Sequence, residues 1–306
     1  MSQGRTERTI AQVDGRKLAL SNLGKVLYPA TGFTKGELLD YYSRVAGVMI
    51  PHLRGRPVTL KRFPDGVRSP SFIEKHLPSH APDWVGSITV PLQAGSRGSD
   101  RGGEVSYPAI GDRPALIWAA NLAAIEFHVP LWHARRGPLP ARPDHLVFDL
   151  DPGPGTSIVE CCRVAGWIAE RLDGRGTGPV VKASGSKGLQ VYVRLSQRAE
   201  WEPARERALR VAEAVRAGHP ELVVTNMKKE HRHGKVLIDW SQNHPAKTTV
   251  AVYSLRGGPE PSVSAPVTWD EVADCERTGD PGRLRFGPGE VLDRVHRMGD
   301  LFEDLL

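Results

Sequence analysis

His145-Leu-Val-Phe-Asp-Leu-Asp151 is an apolar run closed by the turn Pro152-Gly-Pro-Gly155, and it reads as a strand whose end carries chemistry. A strand has a side-chain period of two, so Asp149 and Asp151 point to one face and their carboxylates converge. Like charges that close repel, and a divalent cation is the usual compensation; Mg²⁺ or Mn²⁺ suits ligands that are all oxygen. A third acid, Asp239, interrupts the apolar run Val236-Leu-Ile-Asp-Trp240, where an unpaired charge is costly. A metal ligand and a partner for one of the many arginines are equally open readings of it. Strand-borne acids without a thiolate cluster point to two-metal phosphoryl or nucleotidyl transfer.

Working outward, the chain alternates between helical and extended patterns, which predicts a mixed α/β fold. Upstream, Thr34 and Glu37 form a capping box, and Leu38, Leu39, Tyr42, Val45 and Val48 recur at helical spacing as far as Pro51. Strands are predicted over 58–63 and 85–90, and the apolar stretch 115–129 reads as a buried helix ending at His128. A Pro-rich connector spans 138–143. Downstream, helices are predicted over 158–172 and 203–217, and strands over 179–183, 189–195, 222–225, 235–240 and 248–253. Thr268 with Glu271 is a second capping box, and Val291, Val295, Met298, Phe302 and Leu305 put an apolar stripe on one terminal helix.

The 306 residues are 40% hydrophobic and 25% charged, with 25 Pro and 32 Gly spread along the chain, which excludes wholesale disorder. No stretch approaches the roughly 20 apolar residues of a membrane helix, and the polar N-terminus has no signal-peptide core; a cytoplasmic protein without a membrane partner is expected. Cys161, Cys162 and Cys275 include no C-x-x-C pair, which excludes a disulfide framework and a Cys-rich zinc site and leaves them as small buried hydrophobes. By the same token His231-Arg-His233 reads as a solvated basic turn. The charge of +6 (41 basic against 35 acidic residues) favours a polyanionic partner. Basic residues crowd particular segments, among them Lys25, Lys35, Arg54, Arg56, Lys61, Arg62, Arg135, Arg136 and Lys228 to Lys235. Ala183-Ser-Gly-Ser-Lys-Gly188, between two predicted strands, offers hydroxyls, backbone N–H groups and an ammonium, the donor set that holds a phosphate chain. No Walker A loop occurs, which disfavours a P-loop ATPase.

Taken together, Asn22-Leu-Gly-Lys-Val-Leu-Tyr-Pro29, Val58-Thr-Leu-Lys-Arg62, Val147-Phe-Asp-Leu-Asp-Pro152, Ser184-Gly-Ser-Lys-Gly-Leu189 and Ile238-Asp-Trp-Ser-Gln-Asn243 resemble the polymerase domain of bacterial end-joining DNA ligases, in that family's order and over nearly the whole chain. The resemblance implies the fold of the archaeo-eukaryotic primase superfamily, an RRM-like catalytic sheet joined to a second α/β layer. It implies one primase-polymerase domain over 1–306, with a DNA-end-binding layer at 1–140 and a catalytic layer at 141–306. The implied reaction is addition of nucleotides, often ribonucleotides, to a DNA 3′-hydroxyl at gaps or double-strand breaks, with two Mn²⁺ (or Mg²⁺) ions and an NTP or dNTP as substrate.

By the same resemblance Asp149, Asp151 and Asp239 bind the metals. Lys61, His128, Ser184, Lys187, Gln190, Arg232, Gln242 and Arg256 hold the nucleotide; Asn22, Lys25 and Lys35 bind a DNA 5′-phosphate; Phe72 and Ile73 stack on DNA. Implied partners are double-stranded ends, gapped DNA with a 5′-phosphate, a fused or separate ATP-dependent DNA ligase and a Ku-type end-binding protein. Two positions depart from the pattern: Gln190 stands where the family usually has His, and Ile73 where it often has Phe. Gln12-Val-Asp-Gly15 and Arg171-Leu-Asp-Gly174 both lack the lysine of a nucleotidyl-lysine motif, so the chain is not itself a ligase. A primase that starts strands de novo and a non-catalytic end-bridging module are the alternatives.

Overall fold

Asp14 and Gly15 take positive φ and fold the chain back between β1 (Arg8–Val13) and β2 (Arg16–Ser21), the turn chemistry that a two-residue hairpin requires. The computed structural model describes residues 8–91, 103–134, 139–172 and 178–306; Arg135, Arg136, Pro138, Asp173 and Gly174 lie outside them. After the short pair β3 (Val26–Tyr28) and β4 (Phe33–Thr34), the Thr34 hydroxyl accepts from the Glu37 N–H and starts α1 (Lys35–Leu53) as predicted. Strands β5 (Thr59–Arg62), β6 (Phe72–Glu74), β7 (Ser87–Pro91) and β8 (Glu104–Pro108) follow.

The stretch 115–129 corrects its prediction. It divides into α2 (Arg113–Asn121), capped by the Asp112 carboxylate, and β9 (Ala124–Val129), joined by a turn in which Ala123 has φ 59°. A run this rich in apolar residues carries too little period to separate a buried helix from a buried strand. His128 therefore sits on a strand and does not end a helix.

The decisive strand is β10 (His145–Pro152), followed by α3 (Ile158–Leu172), β11 (Val180–Ala183), β12 (Leu189–Arg194), α4 (Trp201–Gly218), β13 (Val223–Val224) and β14 (Val236–Asp239). The strand predicted over 248–253 is only β15 (Thr249–Val250). Then come β16 (Leu255–Arg256), β17 (Ser262–Val263), β18 (Pro266–Val267), α5 (Trp269–Thr278) with its Thr268–Glu271 capping box, and α6 (Pro288–Met298). Here the stripe predicted on one terminal helix needs a second correction. Gly299, at φ 70°, ends α6, and Phe302 and Leu305 reach the core from a separate turn.

Two sheets position everything that follows. One has the order β13-β14-β10-β12-β11-β18, the other β15-β9-β5-β6. Alternation splits the faces of the six-stranded sheet. Leu146, Phe148, Leu150, Val191 and Ile238 pack against α3, α4 and α5 with the buried Cys161, Cys162 and Cys275, whereas Val147 and Tyr192 join the core that α1 and α2 build with the four-stranded sheet. Residues from Ala251 to Leu305 return to that first core. The Tyr192 hydroxyl donates to Thr249 Oγ1 (3.0 Å), and Lys182 Nζ donates to the Val250 carbonyl (3.2 Å), so the two sheets meet across their inner faces. Among the described residues no helix is long and apolar enough to cross a membrane.

Candidate active site

Antiparallel pairing sets Asp149 of β10 directly opposite Asp239 of β14 on one side and Gln190 of β12 on the other. Asp151, two residues on, shares their face. The charges feel one another. Burial and then the Asp151 charge push the Asp149 carboxyl up to about 7, against a hydrogen bond from Gln190 Nε2 (3.0 Å). Asp151 is raised by burial and by Asp239, with Arg232 opposing. Asp239 is held differently: Ser241 donates through its N–H and Oγ to one oxygen, and Gln242 Nε2 donates to the other at 2.9 Å.

Among the described residues, no group of three or more His, Cys, Asp or Glu side chains stands as a finished metal cage. The donor chemistry nonetheless suits a hard divalent cation: all-oxygen ligands, mutually repelling and short of positive charge.

A carboxyl whose pKa is raised by folding contributes stability in full below its unfolded value and loses it as pH rises through the folded one. For Asp149 that window runs from about 4 to about 7. Asp149→Asn therefore raises the melting temperature of the metal-free protein, by a margin that widens between about pH 4 and about pH 7 and then levels off. Melting curves of both forms across that range check this. A margin independent of pH contradicts it.

Around the acids, glycines let backbones touch. An added Cβ on Gly153 would stand 1.8 Å from the Arg232 carbonyl, and one on Gly185 would meet Val263 and the Arg256 side chain within 2.8 Å. The Ser184–Gly188 loop is thus pressed onto Arg256, with Ser184 Oγ accepting from the N–H groups of Ser186 and Gly188 (both 3.2 Å) and Lys187 exposed. Arg232 and Arg256 each carry a charge felt by Asp151, and the Nε of each is buried without a hydrogen-bond partner.

Across from them, Lys61, His128 and Arg256 converge on Glu126 of β9, a residue the sequence reading missed. It also missed Lys182, buried on β11 opposite Gln190; burial, with the Arg256 charge adding, lowers its ammonium to about 7. The signal for both was the one used for Asp239, a charged residue inside an apolar strand. The predicted residues divide accordingly. Asp149, Asp151, Asp239, Gln190, Gln242, Arg232 and Arg256 are brought together; Ser184 and Lys187 border them; Lys61 and His128 face them from the other sheet. Gln190 is placed on Asp149, with Tyr192 donating to its Oε1 (3.2 Å).

A second cluster lies on the far face of β5. Lys35 is buried, its Nζ donating to the Ser21 carbonyl (2.6 Å), while the half-exposed Lys25 pairs with Asp65. Burial, then the charges of Lys25 and Arg62, bring the Lys35 ammonium down to about 8, a sign that cations are crowded there, even though Lys25 and Arg62 are each paired with a carboxylate, Asp65 and Glu74. Asn22 takes φ 54° and its carbonyl accepts from the Lys25 N–H. Arg62 lies over the exposed Phe72 ring (5.0 Å), and Ile73 beside it is 53% exposed.

Carboxylates in register on a mixed sheet, flanked by two guanidinium groups and a glycine-rich donor loop, are the kind of arrangement that two-metal nucleotidyl transfer uses. The sequence matches the family described as LigD, primase-polymerase domain, over residues 34–302, and the chain belongs to that family. It is 45% identical over 292 residues to the multifunctional non-homologous end joining protein LigD of Mycolicibacterium smegmatis, covering 94% of this chain and 36% of that protein. It is 32% identical over 306 residues to the bifunctional non-homologous end joining protein LigD of Bacillus subtilis, covering 98% of this chain and 47% of that one. The fold matches the polymerase domain of Mycobacterium tuberculosis ligase D, solved in complex with DNA, with a TM-score of 0.85 at 42% identity over 94% of this chain and 97% of that one. The fold and the enzyme class expected from the sequence are those of this family. The chain spans less than half the length of the multifunctional and bifunctional relatives it matches.

Proposed function

We propose that this chain adds ribo- or deoxyribonucleotides to a DNA 3′-hydroxyl at gaps and double-strand breaks during non-homologous end joining. The observation that carries the reading is the strand register that brings Asp149, Asp239 and Asp151 onto one face, with the guanidinium groups of Arg232 and Arg256 beside Asp151. They supply charge-assisted hydrogen bonds suited to phosphate oxygens next to an acid cluster suited to cations. Asp149, Asp151 and Asp239 would hold Mn²⁺ or Mg²⁺, which when bound makes the 3′-hydroxyl more acidic and stabilises the leaving pyrophosphate. Arg232, Arg256, Lys61, His128, Lys187 and the Ser184 loop orient the triphosphate, and Gln242 keeps Asp239 in place. Gln190 does the same for Asp149.

Lys25, Lys35 and Asn22, with Arg62, take the 5′-phosphate across the gap, and Phe72 and Ile73 offer apolar surface to the bases. The partners are double-stranded ends and gapped DNA, an ATP-dependent ligase fused or separate, and a Ku-type end-binding protein; the working place is the cytoplasm, at the nucleoid.

Extension of a gapped, 5′-phosphorylated duplex with each nucleotide class and either metal tests the reading. No extension under any combination overturns it, and efficient dinucleotide synthesis without a primer would mark a primase instead. Lys25 is the accessible ammonium of its cluster, so Lys25→Ala reduces binding of 5′-phosphorylated gapped DNA roughly tenfold, as expected for a lost charge-assisted contact, and barely changes binding of the same DNA without the phosphate. Equal loss on both substrates would reduce Lys25 to a general backbone contact.

A further inference from the structure

Glu126 is 2% exposed, yet it belongs to neither the acid cluster nor the DNA-end cluster. Its two oxygens gather groups from three separate segments. Oε1 accepts from Lys61 Nζ of β5 (3.2 Å) and from the Gly257 N–H (3.0 Å); Oε2 faces His128 Nε2 on its own strand (2.9 Å) and Arg256 NH1 of β16 (3.7 Å). Burial alone would raise this carboxyl, but the His128 hydrogen bond and the Arg256 charge outweigh it and hold it at about 2, so it is an anion under any assay condition.

Three basic side chains on separate segments repel one another and would turn toward water unless something fixed them. One buried anion opposes two permanent cations and a histidine, so a positive charge remains for an incoming ligand. The carboxylate itself is shielded from that ligand by the side chains it holds. Its partners Lys61, His128 and Arg256 are all proposed above to contact the triphosphate, and the Arg256 Nε is left unpaired while its NH1 is turned to Glu126.

We propose that Glu126 is a positioning residue: a buried anionic hub that aims Lys61, His128 and Arg256 at the triphosphate of the incoming nucleotide. The inference rests on the polymerase reading above and adds that the grip is built from within the protein before the nucleotide arrives. Pre-ordering of this kind lowers the entropy lost on binding and acts mainly on affinity. A carboxamide cannot replace the hub. Its NH₂ would face donors on one side, and its oxygen could serve only one of the pairs.

The test is steady-state extension of the gapped, 5′-phosphorylated duplex by wild type, Glu126→Gln, Glu126→Asp, Lys61→Met and the Glu126→Gln/Lys61→Met double variant, with melting temperature recorded for each. Glu126→Gln is expected to raise the nucleotide KM about tenfold, with kcat and DNA affinity within about twofold. Glu126→Asp, which keeps the charge but shortens its reach, should fall between the two. The double variant should be worse than Lys61→Met, but by less than the rise that Glu126→Gln causes alone, because the hub still aims His128 and Arg256 and has no Lys61 left to aim.

An unchanged KM in Glu126→Gln overturns the inference. So does a double variant whose KM rise is the product of the single rises, or an equal fall of kcat and DNA binding with melting temperature, the mark of a merely structural acid. If Glu126→Gln loses its cooperative melt, Glu126→Asp becomes the deciding variant, and an unchanged KM there overturns the proposal in the same way. A wild type that adds no nucleotide at all is the distinct failure of the polymerase reading.

Discussion

Asp149→Asn leaves nucleotide addition at least about a thousandfold below wild type, because several kcal/mol of transition-state stabilisation depend on the ions that its carboxylate helps to hold. Binding of gapped DNA stays within about twofold, since the basic residues that face phosphates are untouched. The substitution is isosteric and meets the same neighbour, Gln190 Nε2, and it removes a carboxylate whose charge burial and Asp151 disfavour. The variant therefore folds at least as well as wild type, which separates lost chemistry from lost structure. Asp239→Asn is the harsher form of the experiment. Asp239 accepts from the Ser241 N–H, Ser241 Oγ and Gln242 Nε2, and an amide in its place must turn a donor toward one of them. Extension by either purified variant at the wild-type rate would sink the metal assignment.

Gly188→Ala is expected to be among the most damaging small substitutions in the protein. A Cβ at that position would stand 1.8 Å from the Leu150 carbonyl oxygen, far inside any contact distance, and the clash is with backbone that cannot rotate away. Leu150 lies between the two acids of β10, so the strand pair β10–β12 must separate where the site is assembled. The cost exceeds about 4 kcal/mol. Gly166→Ala, inside α3 with no atom within 4 Å of the added carbon, is the matched control and should stabilise by about 0.5–1 kcal/mol through helix propensity. Thermal melting of the two variants distinguishes these outcomes. Equal melting temperatures would mean that the loop can move off β10.

Why some of this could be read from the sequence and some could not has a common physical basis. Asp149 and Asp151 were legible because a polar alternation breaking an apolar strand has few explanations. Thr34 and Thr268 were legible because a capping box is a local hydrogen-bond arrangement, independent of the rest of the fold. The split of 115–129 was not, since the turn at Ala123 is made by a residue with no turn chemistry of its own and is enforced by the packing of β9 between β5 and β15. Glu126 was hidden by the same misreading. On a helix Glu126 and His128 face different directions, whereas on a strand they lie side by side. Gly299, a plain helix terminator, was overlooked because Phe302 and Leu305 kept the helical spacing past it.

Strand β5 carries Lys61 and Arg62 in succession, and they leave on opposite sides: Lys61 toward Glu126, Arg62 toward Glu74, Phe72 and the charge of Lys35. On the roles proposed for these clusters, the incoming nucleotide and the far lip of the DNA gap are gripped from the two sides of a single peptide unit, about 3.3 Å of chain. A hinge between two bodies could accommodate breaks of many widths. One strand, paired on its two edges with β9 and β6, instead ties the two grips to each other through the backbone.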